Sequence, residues 1–255
     1  MVTKSVQLAA GWMHYLEGGT GPTLLFLHGA VATSEAYIPL LDLLSFSHHV
    51  VAPVHPGHGR TFGIPHGWKL KDYVLCYQDF FAEIDFFPDI LIGHSFGGAL
   101  ALVLASKGVG KFVVAMDPPG LTFRLDSNRY INALAQEGKD ILKKRSDMKT
   151  FTQTSRAAGT IVETIVRHPF DVSLVASMGP KYTIASQVKK ISIPTYLLWG
   201  EKDEIVSVET GRRFEKLIPN AHLTVFPGVG HNYSVIDPEF TYKELASILS
   251  FYDTA

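Results

Sequence analysis

The chain reads as an α/β protein built on a doubly wound, mostly parallel sheet with an inserted helical cap. Three observations predict that class. Short apolar runs recur with helical segments between them, the pattern of buried parallel strands and their crossover helices. Between Gly120 and about Gln187 those runs stop and helical periodicity takes over. One run also ends in a glycine-flanked serine turn that opens directly into an apolar helix. With 255 residues, 46% of them hydrophobic and 18% charged, the chain can bury one large core.

The elements follow in chain order. Residues 6–8 and 12–16 alternate around Gly11, which predicts an antiparallel hairpin at the sheet edge. The runs 23–27, 49–54, 89–92, 111–116, 195–199 and 222–226 predict buried parallel strands, making an eight-stranded sheet with the hairpin. Helical patterns at 128–145, 149–158, 160–167 and 172–178 predict the cap. The expected organisation is a core of residues 1–120 and 188–255, with 121–187 inserted as the cap. No repeat or low-complexity tract interrupts the chain, so the cap is expected to rest on the core.

Composition narrows the partners. A formal net charge of -1, without a Lys/Arg run, offers no basic field for nucleic acid. No stretch reaches the roughly 18 apolar residues of a membrane span. Met1-Val2-Thr3-Lys4-Ser5 lacks the apolar core of a secretory signal, so a cytoplasmic monomer or homodimer is expected. The single cysteine, Cys76, excludes an intrachain disulfide and reads as a buried structural thiol.

The chemistry is concentrated in Gly93-His94-Ser95-Phe96-Gly97-Gly98, directly after Ile90-Leu91-Ile92. A strand that turns into a helix this abruptly forces its central residue into a sparsely populated conformation, at a cost on the order of 1–3 kcal/mol. Flanking glycines let strand and helix pass closely. Ser95 is left at the helix amino terminus, where free amides favour a developing negative charge, and the Phe96 N–H is placed as an oxyanion donor. A serine hydroxyl needs a histidine to take its proton and an acid to orient that histidine. Trp199-Gly200-Glu201-Lys202-Asp203 and Pro227-Gly228-Val229-Gly230-His231 follow the last two strands, and the carboxyl ends of such strands line one crevice. Ser95, Asp203 and His231 are therefore expected to converge.

With these motifs in view, the chain resembles the α/β-hydrolase superfamily from about Leu8 to its carboxyl terminus, apart from the cap. The resemblance extends to His28-Gly29-Ala30, similar to the superfamily's oxyanion loop, and implies the Ala30 N–H as second oxyanion donor. It also covers Pro56-Gly57-His58-Gly59-Arg60 and Asp237-Pro238. Val54 stands where many relatives carry aspartate, and His55 where they carry an apolar or aromatic residue. Relatives sometimes place the acid after the preceding strand, a position held here by Asp117.

The resemblance implies a carboxylesterase-like serine hydrolase that cleaves a small to medium ester, or a related acyl substrate, through an acyl-enzyme. It implies no cofactor and no metal. A serine at the turn argues against dehalogenase and epoxide-hydrolase chemistry, which use aspartate there. Carbon-carbon bond hydrolase, lactonase, proline iminopeptidase and haloperoxidase-like activities remain alternatives, as does a slow-turnover ligand sensor. His28, Gly29, His94, Phe123 and Tyr233 are the candidate substrate-binding residues, with His28 and His94 also read as buried groups that shape the site. His55, His58 and His66 match no metal-ligand spacing. Phe123, Tyr130, Phe151 and Phe170 supply the cap core, and a few of them are expected to roof the pocket.

Overall fold

The computed structural model describes residues 1–30, 32–121, 148–168 and 183–253. Eight strands form one sheet in the order β1-β2-β4-β3-β5-β6-β7-β8. β1 (Val2–Leu8) and β2 (Gly11–Gly18) make the antiparallel hairpin, and β2 pairs antiparallel with β4 (His49–Pro53). β3 (Thr23–Leu27), β5 (Ile90–His94), β6 (Phe112–Met116), β7 (Thr195–Gly200) and β8 (Ala221–Phe226) continue the sheet in parallel from β4. β1 starts four residues earlier than its apolar pattern suggests. Its first residues are exposed edge positions, where backbone pairing needs no buried side chain.

The strands carry a core on both faces because successive side chains point to opposite sides. Leu25, Leu27, Leu91, Val113, Leu197 and Trp199 pack on one side, beneath α2 (Leu70–Glu83), α3 (Phe96–Ala105) and α6 (Val208–Leu217). Leu24, Phe26, Ile90, Ile92, Val114 and Leu198 pack on the other, against α1 (Ile38–Leu44) and α8 (Pro238–Asp253). Strands buried on both faces read as continuous apolar runs, which is why they stand out in the sequence. The strand order turns back at β3, whose neighbours are β4 and β5. The loops leaving β3 and β5 thus meet at the switch point of the sheet, where such folds open a crevice.

Between β6 and β7, residues 148–167 form one helix, α4 (Met148–Arg167), and not the two helices expected on either side of Gly159. A Cβ at Gly159 would meet nothing within 4 Å. The glycine therefore marks no close approach, and the helix runs through it at a modest propensity cost. α4 is seated on the turn after β4: the Gly59 N–H donates to Thr164 Oγ1 at 3.3 Å, and His168 Nε2–H donates to the Gly59 carbonyl at 3.0 Å. The expected helices at 128–145 and 172–178, with Phe123, Tyr130 and Phe170, lie outside the described residues. α5 (Ala185–Val188) leads back into the sheet and α7 (Tyr233–Ile236) precedes α8. No described helix is long and apolar enough to cross a membrane. Cys76 is buried in α2, and burial, with Asp79 nearby, pushes its thiol up to about 12.

Candidate active site

Ser95 joins β5 to α3 with φ 51° and ψ -118°, a left-handed conformation that a non-glycine residue adopts at a cost of about 1–3 kcal/mol. Its N–H is held by the Met116 carbonyl at 2.7 Å, and its own carbonyl accepts the Ala99 N–H at 3.0 Å. Between Ile90 and Ala105, Ser95 alone is partly exposed while every other residue is buried. The turn can be this tight because Gly97 lies against the carbonyls of Leu27 and His28, where any Cβ would overlap backbone. That contact also brings the loop after β3 beside the serine.

The candidate acid and base come from the loops after β7 and β8. A Cβ at Gly200 would lie 2.6 Å from the carbonyls of Val229 and Gly230, so the missing side chain lets the turns after β7 and β8 touch. Across that contact His231 Nδ1–H donates to Asp203 Oδ2 at 2.7 Å. Asp203 Oδ1 accepts the N–H groups of Ile205 and Val206 at 2.8 and 2.7 Å. Three donors thus surround one carboxylate, the environment in which an acidic group holds negative charge. With Nδ1 carrying the proton, Nε2 is the basic nitrogen of the neutral imidazole.

Asp117, the other candidate acid, is built differently. It leaves β6 with φ 47° and is fully buried. Its Oδ1 accepts the Gly200 N–H at 3.0 Å, and its carboxyl is buried beside Asp203 and Tyr233. Burial, reinforced by the negative Asp203 nearby, pushes its carboxyl well above the usual range. Of two adjacent carboxyls, the one paired with histidine has three donors and the other is pushed toward its protonated form by burial. Tyr233, a candidate substrate-binding residue, is buried against Phe226 and Phe240. Its hydroxyl feels Asp117 and Asp203, so it sits on the acid side of the site.

Three histidines near the serine are each locked by at least one backbone group that can only donate or only accept. His94 Nε2–H donates to the His231 carbonyl at 3.0 Å, while its Nδ1 accepts the Tyr37 hydroxyl at 2.7 Å. The Tyr37 oxygen also accepts the Gly29 N–H at 3.1 Å. His28 Nε2 accepts the His55 N–H at 2.9 Å, and its Nδ1–H donates to the Gly29 carbonyl at 2.8 Å. His55 Nε2–H donates to the His28 carbonyl at 2.8 Å, and Nδ1 accepts the Tyr77 hydroxyl. Burial keeps all three neutral, holding His55 and His94 down to about 3 and His28 well below its ordinary value. The ring nitrogens of His28 and His94, and both polar groups of the Gly29 backbone, are therefore already paired within the protein. They brace the site and offer no polar group to a substrate. Ala30 is partly buried at the end of this braced segment, and Phe96 lies one residue beyond Ser95. Among the described residues no hydrogen bond claims the N–H of either. Phe123 lies outside the described residues.

Tyr37 and Tyr77 had no sequence signal of their own, although the unusual His55 pointed to this corner. His28, His55 and His58 cluster in the interior, the first two rings 3.8 Å apart and His58 edge-on to both, whereas His66 is exposed. Among the described residues, His94, Asp117 and His231 bring ligand-type atoms within 4.8 Å of one another. Both nitrogens of His94 and Nδ1 of His231 are committed to hydrogen bonds, which leaves a poor cage for a cation.

A model of the alpha/beta hydrolase family matches residues 24–244. The chain is 25% identical over 264 residues to 2-(acetamidomethylene)succinate hydrolase of Mesorhizobium japonicum, covering 97% of this chain and 95% of the relative. It is 24% identical to a non-heme haloperoxidase of Rhodococcus erythropolis, covering 92% and 94%. The esterase RhEst1 of Rhodococcus sp. ECU1013 shares the fold, with a TM-score of 0.79 and 19% identity over 98% of this chain and 99% of that one. The family match runs from β3 through the serine turn and the Asp203–His231 pair into α8, and on that match this chain belongs to the alpha/beta hydrolase family.

Proposed function

We propose that the chain is a serine hydrolase that cleaves a small to medium carboxylic ester, or a related acyl substrate, through an acyl-enzyme. The observation that carries this reading is the 2.7 Å contact between His231 Nδ1 and Asp203, on the same edge of the sheet as the strained, partly exposed Ser95. Ser95 Oγ attacks the substrate carbonyl carbon and its proton passes to His231 Nε2. The carbonyl oxygen gathers negative charge opposite the N–H groups of Ala30 and Phe96. Collapse of the intermediate breaks the acyl-oxygen bond, and the leaving alkoxide takes the proton from His231. Water then repeats the sequence on acyl-Ser95, releasing the acid and restoring the serine. Asp203 stays ionised throughout and holds the imidazole in its Nδ1–H form. The relative that hydrolyses 2-(acetamidomethylene)succinate extends the candidate substrates beyond simple esters.

The test is steady-state turnover of short p-nitrophenyl esters. Ser95→Ala is expected to lower kcat by about 10⁴-fold or more, and Asp203→Ala by a similar order, with a fluorophosphonate labelling Ser95 in the unmodified chain. Turnover that survives complete labelling overturns the scheme. A single burst of one p-nitrophenol per chain, followed by silence, would instead identify a slow-turnover sensor.

A further inference from the structure

The histidine that departs from the family pattern, His55, sits where it can control both oxyanion donors. The amide that carries the Ala30 N–H has the Gly29 carbonyl at its other edge, and in a planar trans peptide the two point in opposite directions. His28 Nδ1–H holds that carbonyl at 2.8 Å, so the His28 ring sets where the Ala30 N–H points. The neutral His28 ring donates from Nδ1 with Nε2 as its acceptor, and the His55 backbone N–H, at 2.9 Å, occupies that acceptor. The His55 side chain closes the same loop from the other direction, donating Nε2–H to the His28 carbonyl at 2.8 Å. The His28 carbonyl, which only accepts, places the proton on His55 Nε2, and the Tyr77 hydroxyl in α2 donates to the remaining acceptor Nδ1 and holds the ring in that orientation. The His55 ring also meets the Phe96 ring edge-on with centroids 5.4 Å apart, touching the residue that bears the second donor.

We propose that His55 and Tyr77 are positioning residues for catalysis. Acting through His28, they aim the Ala30 N–H at the developing oxyanion, and the His55 ring holds Phe96 in place. This inference rests on the serine-hydrolase reading, since an aimed oxyanion donor matters only if an oxyanion forms. Neither side chain touches substrate, so their removal reaches the transition state and leaves ground-state binding largely intact.

The experiment compares His55→Leu, His55→Gln and Tyr77→Phe with the unmodified chain. It measures kcat and KM on p-nitrophenyl acetate and the inhibition constant of phenylboronic acid, whose tetrahedral serine adduct places an oxygen where the oxyanion forms. Loss of a whole oxyanion donor costs about 10²–10³ in kcat, so a misaimed one is expected to cost about 10–100-fold in His55→Leu. Tyr77→Phe should lose about 3–10-fold. KM should stay nearly constant, boronate binding should weaken in step with kcat, and His55→Gln, which keeps an N–H donor for the His28 carbonyl, should recover most of the loss. A merely structural role lowers Tm while the folded variants keep their kcat and boronate affinity, and that result overturns the proposal. If His55→Leu does not fold, Tyr77→Phe decides alone, because it deletes one hydroxyl and leaves the ring in place; unchanged kcat and boronate affinity in that variant is equally fatal. Ser95→Ala separates the two readings: turnover that persists in it removes the serine-hydrolase mechanism itself, whereas loss there with unchanged Tyr77→Phe removes only the positioning role.

Discussion

At the scale of single residues, the site separates two carboxyls that lie close together. Asp203 has three donors, while Asp117 has one backbone donor and is otherwise buried beside Asp203 and Tyr233. The folded protein therefore keeps a proton on Asp117 that the unfolded chain releases above its ordinary value near 3.8. More protons bound in the folded state means that stability falls as pH rises through that range. Asp117→Asn, which is neutral at every pH and offers an N–H toward Asp203, is expected to stabilise the protein at pH 7 by about 1 kcal/mol or more. The gain should shrink as the pH is lowered toward 3.8, and thermal melts across pH check it. Turnover in Asp117→Asn should stay within a few-fold of the unmodified chain, whereas Asp203→Asn, which disturbs the tautomer of His231, should lose about 10⁴-fold. The reverse pattern would make Asp117 the acid.

At the scale of elements, the turn following β4 connects α4 to the crevice beside Ser95. Its Gly59 has both backbone groups taken, by Thr164 of α4 and by His168 just after it. The same turn reaches the brace, since the His58 N–H donates to the His55 carbonyl at 3.0 Å. Thr164 is fully buried, and valine has nearly its shape without the hydroxyl. Thr164→Val leaves the Gly59 N–H unpaired, so it is expected to cost about 1–3 kcal/mol. In a domain of this size that lowers Tm by about 2–4 °C per kcal/mol. Calorimetry checks the shift, and an unchanged Tm would show that α4 is not held on the core through this bond.

At the scale of the whole molecule, buried neutral histidines shape the dependence of stability on acid. His55 and His94 take up protons near 6.5 when unfolded but only near about 3 when folded. Between those values the unfolded chain binds more protons, so stability declines as pH falls from about 6.5 toward 3, with each histidine adding a slope of up to about 1.4 kcal/mol per pH unit. Melting temperature is expected to drop clearly between pH 7 and pH 5, and His55→Gln should flatten that drop. A Tm that is level across the interval would contradict the locked neutral state. Much of this molecule was legible in its sequence. Strands buried on both faces are continuous apolar runs, and the turns bearing Ser95, Asp203 and His231 need glycines at fixed places, so local steric rules sufficed to find them. Those rules misjudged α4, where Gly159 meets open space and breaks nothing. They also shortened β1, an exposed edge whose pairing leaves no apolar signature. Only the tertiary structure decided which carboxyl meets His231 and which nitrogen of each buried histidine carries its proton. A tautomer depends on whether the group across from it donates or accepts, and those groups are brought together from positions 27 residues apart for His28 and His55 and 57 apart for Tyr37 and His94.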